Sequence, residues 1–130
     1  MSETSLYEQM GGAPAIDRLV EAFYANMDSL PEARKIRALH APDLSQLKAD
    51  LKNYFSEWTG GPALYSPVKG HPRMRQRHMG VAIGAAERDA WMLCMTKALE
   101  ETVANPEARA SFHQSVEKLA DWMRNKNEAQ

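Results

Sequence analysis

The residues of strongest chemical character lie in GHPRMRQRHMG, residues 70–80, where Arg73, Arg75 and Arg77 alternate toward His78. An imidazole can ligate a metal or carry a proton, and cations beside it would hold an anionic group. The other histidines are His40, His71 and His113, and none makes the HExxH or HxxxH spacing that puts two imidazoles on one helical face. That argues against a zinc hydrolase. His71 and His78 are seven apart, but Pro72 makes His71 a cap or pre-helix residue. GxSxG, P-loop and GxGxxG patterns are absent, and GGP at residues 60–62 reads as a helix stop, not a phosphate cradle. Cys94 is the one cysteine, which excludes an internal disulfide and argues against a cysteine-based metal site.

Helices must position these groups. Ser5 and Glu8 have capping-box spacing for a short first helix ending at Gly11-Gly12, and Pro14 suits the first turn of the next. There Ile16, Leu19, Val20, Phe23 and Met27 recur at helical intervals. A short helix follows Pro31 through ARKIRAL. Asp43, with Gln46 three residues on, predicts the cap of a helix whose stripe is Leu44, Leu47, Leu51, Tyr54, Phe55 and Trp58, stopped by Gly60-Gly61. Residues 61–71 have loop composition, and Pro72 opens a short helix carrying the arginines and His78. Ala90, Trp91, Met95, Ala98, Leu99 and Val103 mark another helix. Asn105-Pro106-Glu107 starts the last, lined by Phe112, Val116, Leu119 and Met123. The tail from Trp122 onward is expected to fray. No period-2 strand pattern competes, so the class is all-α, with about four substantial helices and two or three short ones.

The 130 residues suit a single domain, 1–130, with room for one core. Sixteen basic and seventeen acidic residues give a formal charge of −1, so a polyanion partner such as nucleic acid is not indicated. MSETSLYEQMGG lacks the pattern of a signal peptide, and no apolar run approaches the roughly 20 residues that span a bilayer. A soluble, cytoplasmic protein without membrane contact is the expectation. A helical chain with few histidines and no other metal motif still allows a prosthetic group held by one imidazole. Haem needs one proximal histidine, and its propionates favour Arg, Lys or Tyr.

The strings LYEQMGG, FYANM, WTGGP, GHPRMRQRH and ERDAWMLCM, in that order over nearly the whole chain, resemble a group II truncated haemoglobin. The resemblance implies a truncated globin, a two-over-two helical sandwich around haem b (iron protoporphyrin IX). It makes His78 the axial iron ligand and puts Arg77 near a propionate, with Tyr65, Arg73 and Lys69 as lesser candidates. Tyr24 matches the tyrosine that hydrogen-bonds bound ligand, and Trp91 the tryptophan whose indole N–H faces it. His40 falls at the third distal polar position, with Leu39 as the alternative. Leu47 replaces the distal His or Gln of larger globins, and Leu51 packs on the haem face. Tyr54 and Phe55 read as core that reaches the haem edge, and Met79 and Met95 as core. A distal imidazole also raises the prospect that His40, or less readily Tyr24, ligates ferric iron when no gas is bound.

Up to three donors, Tyr24, Trp91 and His40, would slow ligand release, at roughly 0.5–1.5 kcal/mol per neutral hydrogen bond and tenfold per 1.4 kcal/mol. A carrier must let go, so such a pocket suits ligand retention and O2, NO or peroxide redox chemistry. Nitric oxide dioxygenase- or peroxidase-like activity would need a separate reductase, since the chain has no flavin or NAD motif. The alternatives are a non-catalytic gas-binding or sensing module (ligands O2, NO or CO) acting through a partner, and a haem-free helical interaction protein.

Overall fold

The structure is a computed structural model, and it describes residues 4–70 and 83–125. His71, Arg73, Arg75, Arg77, His78 and Met79 lie outside the described residues, as does the helix expected after Pro72.

Helix α1 (Leu6–Met10) starts as its sequence dictates, with the Ser5 hydroxyl accepting from the Glu8 amide at 3.2 Å. It ends at Gly11, whose φ of +114° is a left-handed conformation that glycine adopts without a steric penalty. Helix α2 (Gly12–Ser29) buries Ile16, Leu19, Val20, Phe23 and Met27, the whole predicted stripe. After a 3-10 turn over Pro31–Ala33 comes α3 (Arg34–Ala38), then α4 (Ser45–Trp58). Asp43 does not cap α4 directly, because the helix begins two residues later. Its carboxylate instead accepts from the Ser45 amide (2.9 Å) and hydroxyl (2.7 Å), an Asx turn leading into the helix. Gln46 turns away to Asp50 at 2.8 Å.

The loop-like segment contains one helical turn, α5 (Ser66–Lys69), held by Glu57, which accepts from the amide and hydroxyl of Ser66. Helix α6 (Ala85–Thr102) opens with the Glu87 carboxylate accepting from the Gly84 amide at 2.7 Å. Helix α7 (Pro106–Trp122) has the predicted cap, Asn105 Oδ1 accepting from Glu107 and Ala108. The part of the tail that is described, residues 122–125, is tied down, and residues 126–130 lie outside the described residues. Met123 is buried, and Asn125 ties back to Ile83 through its own amide (2.9 Å) and its side-chain carbonyl (2.8 Å).

The α2–α4 pair stacks on the α6–α7 pair, and α2 against α6 is the most extensive contact. Asn26, buried on α2, donates to the Cys94 carbonyl of α6 at 3.1 Å and ties the two helices at their crossing. Helix α1 braces α2 and α7, with Tyr7 packed so closely on Gly61 that a Cβ there would lie 2.4 Å from the ring. Phe23, Phe55 and Phe112 are fully buried, each removing apolar surface worth about 2–3 kcal/mol from water. The described residues contain only helices and turns, as expected for an all-α chain.

Candidate distal pocket of a haem site

Tyr24 comes from the middle of α2, where the stripe that buries Phe23 carries it inward to 5% exposure. Its ring meets Phe23 edge-on at 4.9 Å, and Phe23 meets the indole of Trp91, on α6, at 5.0 Å. The His40 ring stands across from Tyr24 at 6.3 Å, nearly perpendicular. His40, Tyr24, Phe23 and Trp91 thus form one run of rings drawn from α2, α6 and the segment after α3. Leu39, the alternative to His40, is 49% exposed, while the His40 ring is half-buried and faces Tyr24.

Polar atoms in this run are left open. Among the described residues, none bonds the Tyr24 hydroxyl or the Trp91 indole N–H, and the His40 ring has one bond, from Nδ1 to the Ile36 carbonyl at 2.7 Å. Burial pushes the Tyr24 hydroxyl up to about 12, with the Asp50 carboxylate adding to the effect. Tyr24 is therefore a neutral O–H donor at any physiological pH. Arg37 fixes the chain just beyond His40. Its guanidinium donates to the Ala41 and Pro42 carbonyls, both at 3.0 Å, and pairs with Asp28 of α2.

The apolar stripes of α4 and α6 each carry a half-buried stretch, which on α4 follows the buried Leu44, while Trp58 at the far end is half-buried too. Tyr54 and Phe55 are buried whereas Leu47 and Leu51 are half-buried. Met95, Ala98, Leu99 and Val103 are buried whereas Ala90 and Trp91 are half-buried. Both helices pack on α2 yet scarcely touch each other among the described residues. Half-covered apolar side chains on two helices that do not close on one another suit a flat apolar group between them.

Tyr65 is buried edge-on against Tyr54 at 5.6 Å, and Phe55 lies at 1% exposure in a cluster with Trp58 and Phe112. Lys69, a lesser propionate candidate, pairs with Asp50 at 3.5 Å. Met95 is core, as expected. Sequence reasoning missed Asn26, Ile36 and Arg37. A polar residue one turn from Phe23 on the buried face of α2 was the only local signal for Asn26. Ile36 and Arg37 act through a backbone carbonyl and a loop clamp, which leave no spacing to read. Among the described residues no group of three or more His, Cys, Asp or Glu could hold a metal. No helix among the described residues is long and apolar enough to cross a membrane.

The family model of the bacterial-like globins matches residues 5–125. The group 2 truncated hemoglobin YjbI of Bacillus subtilis is 31% identical over 95% of this chain and 91% of its own length. Among solved structures, the group II 2-on-2 hemoglobin of Agrobacterium tumefaciens is 41% identical, covers 98% of both chains and superposes with a TM-score of 0.93. The cold-adapted truncated hemoglobin of Pseudoalteromonas haloplanktis TAC125 is 34% identical over 95% of this chain and all of its own, with a TM-score of 0.92. With the two-over-two helical frame and the Tyr24–Phe23–Trp91 run already in place, these matches make the chain a member of the bacterial-like globin family, a group II truncated haemoglobin.

Proposed function

We propose that this globin, a single domain over residues 1–130, applies its haem-based gas binding to retaining small ligands and to O2, NO or peroxide redox chemistry in the cytoplasm, not to carriage. The observation that carries the reading is the set of polar atoms at Tyr24, Trp91 and His40 left without a partner in the described structure beside half-buried apolar stretches. Haem b, when bound, supplies an iron that takes diatomic gases and exchanges electrons. His78 would be its axial ligand, and Arg77, with Tyr65, would meet the propionates. Leu47 and Leu51, with Tyr54 and Phe55 behind them, would cover its face and edge.

The chain's own contribution is placement. Tyr24 brings a neutral O–H from α2 and Trp91 an N–H from α6, and the Asn26 tie holds those two helices in register. Such donors stabilise negative charge developing on a ligand in a partly dry pocket, and so slow its escape. Turnover needs electrons from a separate reductase, because the sequence has no flavin or NAD motif.

Absorption spectra of the reduced protein, with and without carbon monoxide, test the site in wild type and His78→Ala. A carbonyl Soret shift that the substitution abolishes or strongly alters supports the reading, and absence of haem uptake by wild type refutes it. Nitric oxide consumption by the O2-loaded protein then separates chemistry from a purely sensing module.

A further inference from the structure

Among the described residues, His40 is the one polar group of the distal run whose ring already has a partner, and that partner is a carbonyl. Nδ1 lies 2.7 Å from the Ile36 oxygen, which also accepts the Leu39 amide at 3.0 Å. A carbonyl oxygen has no proton to give, so the hydrogen of that bond sits on Nδ1. In a neutral imidazole the second nitrogen, Nε2, then carries a lone pair and no proton. The arrangement is held firmly. Ile36 is buried in α3, and Arg37 clamps the two residues after His40 and reaches Asp28 on α2.

We infer that His40 is a hydrogen-bond acceptor toward the distal ligand, so that the pocket presents two donors, Tyr24 and Trp91, and one acceptor, Nε2 of His40. This revises the expectation of three donors, and it rests on the proposed haem site. The ligand class it selects carries its own O–H or S–H toward His40 and keeps a lone pair for the two donors: peroxides and thiols in preference to ligands with lone pairs alone. An acceptor-only ligand gains from Tyr24 and Trp91 but meets a second lone pair at His40, whereas a ligand that keeps both a hydrogen and a free lone pair satisfies all three groups.

Two probes of opposite character test this on the ferric holoprotein. Fluoride only accepts hydrogen bonds and ammonia, once bound, only donates them. In His40→Leu, ammonia affinity should fall roughly three- to tenfold, the worth of one hydrogen bond, while fluoride affinity stays level or rises. A fall for fluoride with ammonia level would make His40 a donor and overturn the inference, and a parallel fall for both would mean that the substitution disturbs the pocket and not one hydrogen bond, which overturns it too. So would no change in either, which would mean His40 does not reach the ligand, or a rise in both, which would put Nε2 on the iron itself. The second measurement needs no variant. Nitrogen-15 spectra of histidine-labelled carbonyl protein should show His40 protonated at Nδ1 and bare at Nε2, and a proton on Nε2 refutes the assignment. The carbonyl spectrum of the same sample reports separately on haem binding, so failure of the site and failure of the acceptor role give different results.

Discussion

Two aromatic groups in this molecule are built from similar residues to opposite ends. Between α4 and α7, Phe55 and Phe112 meet edge-to-face at 5.1 Å, Trp58 crosses Phe112 at 5.5 Å, and Tyr54 stacks on Trp58 and stands against Tyr65. Rings there close on rings. In the run from His40 to Trp91, the rings also touch, but O–H, N–H and lone pair remain unmatched among the described residues. The first group packs ring on ring in the core and holds the fold. The second is fixed from behind, by Asn26, Ile36 and Arg37, and left incomplete in front. The polar atoms of this run are not sealed in the core, so they stay open to water or a ligand, which is why it is the candidate ligand site.

The comparison breaks most easily at Phe112. Phe112→Ala should lower unfolding free energy by about 3–5 kcal/mol, and denaturant titration at constant ligation would show it. A loss below 1 kcal/mol would mean that the α4–α7 cluster is not the structural half. Next comes the pH response of Tyr24. Its folded value of about 12 lies above the ordinary 10, so the stability it confers is complete below pH 10 and is lost as pH rises toward 12. The loss should amount to about 2–3 kcal/mol, and Tyr24→Phe should flatten that alkaline limb. The same variant sharpens the contrast at neutral pH: stability should change by less than about 1 kcal/mol, while ligand dissociation measured by stopped flow accelerates about tenfold. Equal stability losses in Tyr24→Phe and Phe112→Ala would erase the distinction. The smallest effect belongs outside both groups. Lys52 on α4 reaches Asp17 and Glu21 of α2, each at 2.7 Å, across a solvated face. Lys52→Met should cost under about 1 kcal/mol, and less in high salt.

Much of the frame was legible in the residues. The stripe of α2, the Ser5 cap and the Asn105-Pro106 start are local signals, and each does locally what its chemistry requires. The distal residues became readable through a resemblance, because Trp91 by spacing alone is an ordinary core aromatic. Spacing gave the stripes of α4 and α6 but not which of their positions are half-buried, Leu47, Leu51, Ala90 and Trp91 among them, because that depends on how few contacts the two helices share. Bonds between residues far apart stayed hidden for a different reason. Asn26 and Cys94 are 68 positions apart and Ile83 and Asn125 are 42 apart, and neither pairing leaves a periodic trace. The expectation of fraying failed on that account for Met123 and Asn125: a terminal position suggested it, while Asn125 is held by Ile83.

The Asn26 amide on the Cys94 carbonyl has a consequence for how the molecule breathes. It joins α2 to α6 close to Tyr24 and Trp91, so the two helices should open to solvent as one cooperative unit. The five-residue helix α3, which aims His40, has its own small contacts and can open separately. Amide exchange should show matched protection in the centres of α2 and α6 and an earlier phase in α3, with Asn26→Leu uncoupling the first two. Ligand escape would then be timed by the short helix, while the long pair keeps the two donors in place.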